Sequence, residues 1–66
     1  MRLIVNGENR DFASPLSLED LIKNLGLRRE TVVAEVNLSV IKTDRRAETL
    51  LAEGDRVELI QFVGGG

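Results

Sequence analysis

The chain contains no cysteine and no histidine among its 66 residues. Those two gaps exclude disulfides, thiolate nucleophiles, imidazole bases and the usual zinc ligands together. Aromatic residues are almost as scarce: Phe12 and Phe62 stand alone, too few to build a stacking platform for nucleic-acid bases. Neither sign of charge dominates, since 9 basic and 11 acidic residues leave a formal net charge of -2, so there is no electrostatic footprint for a phosphate backbone and nucleic acid is not expected as a partner. The pairs Arg28-Arg29 and Arg45-Arg46 sit beside Glu30 and between Asp44 and Glu48, and read as solvated surface. Long apolar runs are missing too. The opening MRLIVNG carries three consecutive apolar residues, short of a secretory signal or a membrane span, so the expected location is the cytoplasm, away from the membrane.

What remains is an ordinary globular composition, 42% hydrophobic and 30% charged, with enough aliphatic content to exclude simple disorder. A chain this short forms one domain and buries only about 60% of the surface it exposes when unfolded, which leaves one small core and no second lobe.

Residues 2–6 are β-branched and apolar, Asn6-Gly7 is a strong hairpin turn, and residues 9–13 return as a second strand. In SPLSLEDLIKNLGL, Ser17 is placed as a helix N-cap with Asp20 three residues on, and Leu16 and Leu21 have the spacing of a hydrophobic staple. Leu18, Leu21, Ile22 and Leu25 recur at i, i+3, i+4 and i+7, and Gly26 follows where a left-handed C-terminal residue is wanted. Residues 31–36 form a third strand and 38–41 a short fourth, joined by a turn at Asn37. A helical or irregular turn is expected near residues 47–51, then a turn at Glu53-Gly54-Asp55 and a last strand over 56–63. The order β-β-α-β-β-β predicts an α+β fold, one helix packed on a mixed four- to five-stranded sheet, with residues 1–63 as the domain and 64–66 as a flexible glycine tail.

Strand parity divides the sheet residues into two faces. Leu3, Val5, Val32, Ala34, Val36, Val57 and Leu59 are uniformly apolar and belong against the helix. The opposite parity mixes polar residues with Ile4, Val33, Ile60 and Phe62. Should these four be neighbours, they make an exposed apolar patch of the kind that marks a partner surface.

No catalytic constellation emerges. Ser14, Ser17 and Ser39 have no base to activate them, Asp44 and Asp55 lack the companions of a metal site, and no lysine or helix start follows the final glycines as a phosphate loop requires. The chain is not expected to be an enzyme, nor to bind a cofactor. The notable stretch is the last, QFVGGG, where an apolar strand gives way to pure glycine without the Ser, Lys or His of a tag. Three residues without Cβ reach roughly 10 Å and pass through a slot too narrow for side chains. They would carry the terminal carboxylate into another protein's active site. A carboxylate is a poor electrophile until converted to a mixed anhydride, for example by attack on the α-phosphate of ATP, and this step needs a separate enzyme.

Taken together, IVNGE, SLEDLI, VVAEVN, EGDRVEL and above all QFVGGG resemble the ubiquitin-like β-grasp sulfur carriers, in particular the ThiS-type carriers of the thiamine thiazole pathway, along essentially the whole chain. The resemblance implies that an adenylating, E1-like enzyme uses ATP to activate Gly66, with Gly64 and Gly65 as the slender approach. Sulfur, supplied by a donor such as a cysteine desulfurase or rhodanese-like protein, then converts the adenylate to a thiocarboxylate that serves thiazole synthase. It implies docking roles for Ile60, Phe62 and Val63, and a carrier that is monomeric when free. A chain without cysteine offers no internal thiol to attack its own adenylate. Three other readings stay open at this point: the related molybdopterin carrier, a ubiquitin-like modifier that forms isopeptide bonds, and a β-grasp interaction module in which the tail has no role.

Overall fold

A computed structural model describes residues 1–62, which form five strands, one α-helix and one 3₁₀ helix. Strands β1 (Arg2–Val5) and β2 (Glu8–Asp11) make the opening hairpin. Asn6 and Gly7 both take positive φ, 49° and 83°, as a two-residue turn between paired Val5 and Glu8 demands. The return strand ends at Asp11, earlier than the sequence suggests, although Met1 and Phe12 still exchange two backbone hydrogen bonds at 2.8 Å beyond it.

Helix α1 (Leu18–Asn24) begins as the sequence predicts. The Ser17 hydroxyl accepts from the Asp20 amide at 3.0 Å and the Asp20 carboxylate accepts from the Ser17 amide at 3.4 Å, a reciprocal capping box. It ends at Gly26, φ 72°, where the Leu27 amide reaches back to the Ile22 carbonyl and the Gly26 amide to that of Lys23. This is the Schellman arrangement, and its left-handed residue favours glycine.

Strands β3 (Val32–Val36), β4 (Ser39–Val40) and β5 (Arg56–Gln61) complete a sheet of order β2-β1-β5-β3-β4. Only the central β1–β5 pair is parallel, so the sheet is mixed. Two asparagines extend the ladder beyond the strands. Asn6 Oδ1 accepts from the Leu59 amide at 2.7 Å, and Asn37 Oδ1 accepts from the Arg56 amide at 3.0 Å. Both therefore register β5, the strand that leads to the C-terminus.

The parity expectation holds. Leu3, Val5, Val32, Ala34, Val57 and Leu59 are buried against Leu18, Leu21 and Ile22 of α1, with Val36 partly buried at the margin. Leu38 departs from expectation: it belongs to the turn rather than the fourth strand. Val36 pairs with Ser39, leaving Asn37 and Leu38 as another two-residue turn with φ of 50° and 73°. Leu38 occupies the position glycine would prefer and is 83% exposed.

The short helical segment is a 3₁₀ helix over Thr43–Glu48, upstream of the expected 47–51. No side chain caps its start; tertiary bonds hold this region instead. The Leu18 amide donates to the Thr49 carbonyl and the Leu51 amide to that of Leu16, both at 2.9 Å. Arg46 also differs from expectation. It is 2% exposed, not solvated, because its guanidinium supplies the donors that two inward-facing carbonyls need: Nη1 to Arg29 at 2.9 Å and Nη2 to Val32. Its partner in the sequence, Arg45, stays at the surface with Glu48.

Candidate functional site

The sheet face opposite the helix is uncovered along the second half of β5. Val33 and Ile60 are direct cross-strand partners, so their side chains share this face. Phe62 follows Ile60 at the next position of the same parity. Ile60 is 49% and Phe62 61% exposed, and Val33 is partly buried. Val40, 64% exposed, joins the same face opposite Glu35. Its place in a two-residue edge strand gave no periodicity from which to infer its side. The residue after Val36 is where parity is lost, because the Asn37-Leu38 turn resets it.

Ile4 does not join this group. It pairs with Arg56 in the parallel β1–β5 ladder, four residues from Ile60 and so about 13 Å away along the strand. Between the two lie Glu58 and its direct partner Glu35, a like-charge pair without an ion pair among the described residues. The face therefore has an apolar end at Val33, Ile60, Phe62 and Val40, a carboxylate step, and a separate Ile4 beside Arg56. Val63, Gly64, Gly65 and Gly66 lie outside the described residues, as does the expected boundary between domain and tail.

The chain path at the apolar end is fixed by Thr31. The Phe62 amide donates to the Thr31 carbonyl at 2.9 Å, and Gln61 Nε2 donates to Thr31 Oγ1. A cleft of about 270 Å³ opens beside Phe62, lined by Val33, Val40, Lys42 and Arg46 among others. Behind it Arg29 donates to Glu19 at 2.9 Å; this hydrogen bond, aided by the carboxylate's charge, raises the Arg29 pKa above its ordinary value. The arginine is charged at all accessible pH. Among the described residues no three acidic side chains gather as a metal site, and no helix is long and apolar enough to cross a membrane.

A mixed sheet of order β2-β1-β5-β3-β4 wrapped around one helix, with β5 central and paired in parallel to β1, defines a β-grasp protein of the ubiquitin-like kind. The model of the ThiS family matches residues 3–66, and the chain belongs to that family. The crystal structure of the thiamine biosynthesis protein ThiS from Geobacter metallireducens is similar at 33% identity and TM-score 0.86, covering all of both chains. The sulfur carrier protein ThiS of Bacillus subtilis is 34% identical over 50 residues, 76% of each chain. A thiazole synthase of Paramagnetospirillum magneticum is 35% identical over all 66 residues, and there the chain spans 20% of the relative's length.

Proposed function

We propose that this protein is a sulfur carrier for thiamine biosynthesis, with the Gly66 carboxylate as the group that is activated and loaded. The observation that carries the reading is the family match, which runs through the terminal glycines. A carboxylate oxygen of Gly66 attacks the α-phosphorus of ATP in an adenylating partner; pyrophosphate leaves and an acyl-adenylate results. A sulfur nucleophile then displaces AMP. When it arrives as a persulfide, the acyl disulfide first formed is cleaved by a second thiolate, whose sulfur enters a new disulfide while the electron pair stays on the released thiocarboxylate. ATP is thus a substrate of the partner, and this chain is a co-substrate rather than a catalyst.

The acceptor in this reading is thiazole synthase. Its support is that a counterpart of the whole chain occurs within a protein of that name, and joining carrier to acceptor makes their encounter intramolecular. Ile60, Phe62 and Val33 form the docking surface, with Val63 leading into the Gly64-Gly65-Gly66 approach; Ile4, set apart beside Arg56, contributes at the rim.

Intact-mass measurement after incubation with ATP, the adenylating enzyme and a sulfur donor tests the reading. The expected gain is that of replacing one oxygen by sulfur, located on Gly66 and lost when Gly66 is deleted. An unchanged mass, with the enzyme active on another carrier, would refute it, and lysine-linked conjugates would point to a modifier instead. The docking surface has its own prediction. Phe62→Asp places a charge in an exposed apolar contact, so adenylation slows by roughly tenfold or more while the thermal melt stays close to that of the parent. Normal adenylation of this variant would remove Phe62 from the interface.

A further inference from the structure

Beyond the docking surface, the structure shows what holds residues 60–62, the last that it describes. β1 supports β5 only at its beginning: Ile4 pairs with Arg56 and Val5 with Val57, and the Asn6 side chain reaches as far as Leu59 before the chain turns away at Gly7. The sheet support for residues 60–62 comes from the other side. Val33 pairs with Ile60 and Val32 with Gln61, and among the described residues the last bond on this side runs from the Phe62 amide to the Thr31 carbonyl. Thr31 then makes a second contact through its hydroxyl, which accepts from Gln61 Nε2. One residue therefore grips both the backbone and the side chain of the last described turn of path.

Thr31 is itself held firmly. Its amide donates to the Arg28 carbonyl at 3.2 Å, and the buried Arg46 guanidinium binds the carbonyls of Arg29 and Val32, on either side of it. Arg29 in turn is tied to Glu19 at the start of α1. A continuous chain of bonds thus runs from the helix, through residues 29–32, to Gln61 and Phe62.

We propose that Thr31 is a positioning residue for activation of the C-terminus, acting by holding Gln61 and Phe62, the residues from which the sequence continues to Gly66. This rests on the sulfur-carrier reading. A reacting carboxylate must reach the α-phosphorus of ATP in line, and displacement of such a group by about 1 Å costs up to a hundredfold in rate. Partner binding, by contrast, is made by the body. Loss of the grip consequently lowers the rate of the chemical step and leaves affinity for the carrier nearly intact.

The test compares Thr31→Val, nearly isosteric but without the acceptor oxygen, with Thr31→Ser, which retains it, and with Gln61→Leu, which removes the amide from the other end. Pyrophosphate release is measured with the full-length chain, ATP and the adenylating enzyme, alongside amide hydrogen exchange at Phe62. The expected result for Thr31→Val and Gln61→Leu is a kcat lowered about tenfold, a KM for the carrier within about twofold of the parent, and faster exchange at Phe62. Thr31→Ser should restore both. A purely structural role would lower the melting temperature and leave kcat unchanged well below it; parental kcat in Thr31→Val and Gln61→Leu overturns the proposal while the carrier reading stands. A parent chain that releases no pyrophosphate, with the enzyme active on another carrier, overturns the carrier reading and this proposal with it.

Discussion

Arg46→Ala lowers the free energy of unfolding by about 3–5 kcal/mol, a loss comparable with the whole stability of a domain this size. Two effects add. Removing the guanidinium strips the Arg29 and Val32 carbonyls of their donor, and an orphaned buried acceptor costs about 1–3 kcal/mol. Removing the stem also empties a site that is 2% exposed, and the residual cavity adds to the loss. An opposing effect sets the upper limit. The guanidinium is buried without a carboxylate partner and its Nε has no acceptor among the described residues, so deleting it relieves a desolvation penalty. Arg46→Met separates these contributions, because it keeps most of the stem and removes the head. It should cost about 1–3 kcal/mol, the part due to the carbonyls. Urea unfolding followed by circular dichroism measures both variants. If Arg46→Met were as stable as the parent, the buried charge would cost as much as its hydrogen bonds return, and the bracing of residues 29–32 would owe nothing to it.

Arg46 also marks a limit of what the amino-acid order reveals. The hairpin at Asn6-Gly7, the capping box at Ser17 and Asp20, and the Gly26 stop were legible because each depends on residues a few positions apart. Strand parity was legible for the same reason, since alternation places Leu3, Val32 and Val57 on one face whatever their neighbours are. The 3₁₀ helix was not. TDRRAE has no apolar stripe, and it is held by bonds to residues 29–32 and 16–18, far away along the chain. An arginine between Arg45 and Ala47 reads as surface until the fold brings two carbonyls to it.

The candidate site divides in the same manner. That Ile4, Val33, Ile60 and Phe62 share a face followed from parity. Which of them are neighbours depends on the registers of the parallel β1–β5 and antiparallel β3–β5 pairs, long-range facts that no local pattern encodes; the first sets Ile4 beside Arg56 and the second Val33 beside Ile60. Leu38 shows the converse, a local conformation that propensity disfavours and pairing imposes. With Val36 fixed against Ser39, the two residues between must both turn left-handed, and leucine accepts a φ of 73° that costs roughly 1 kcal/mol.

Leu21→Ala has an effect of similar size, and for a different reason. Helix α1 has only seven residues, well under the roughly 12–15 at which isolated helices begin to persist in water. Its existence therefore depends on what it buries. Leu18, Leu21 and Ile22 are each wholly inaccessible, at 0% exposure, and Leu21 lies at the middle of that stripe, over a sheet whose inner face is a single layer of aliphatic side chains. Truncation there forfeits about 2–5 kcal/mol, through lost burial and a cavity that rigid strands cannot close. A domain of this size rarely has more than about 3–5 kcal/mol to lose. The expected result is a broad, low-temperature melt, whereas Ile22→Val, which removes one methylene from the same layer, costs about 0.5–1.5 kcal/mol and keeps a cooperative transition. The same urea series distinguishes the two. Were Leu21→Ala to retain a sharp transition near the parental midpoint, the sheet would have to collapse onto the shortened side chain, and the helix would be held by its caps rather than by its core.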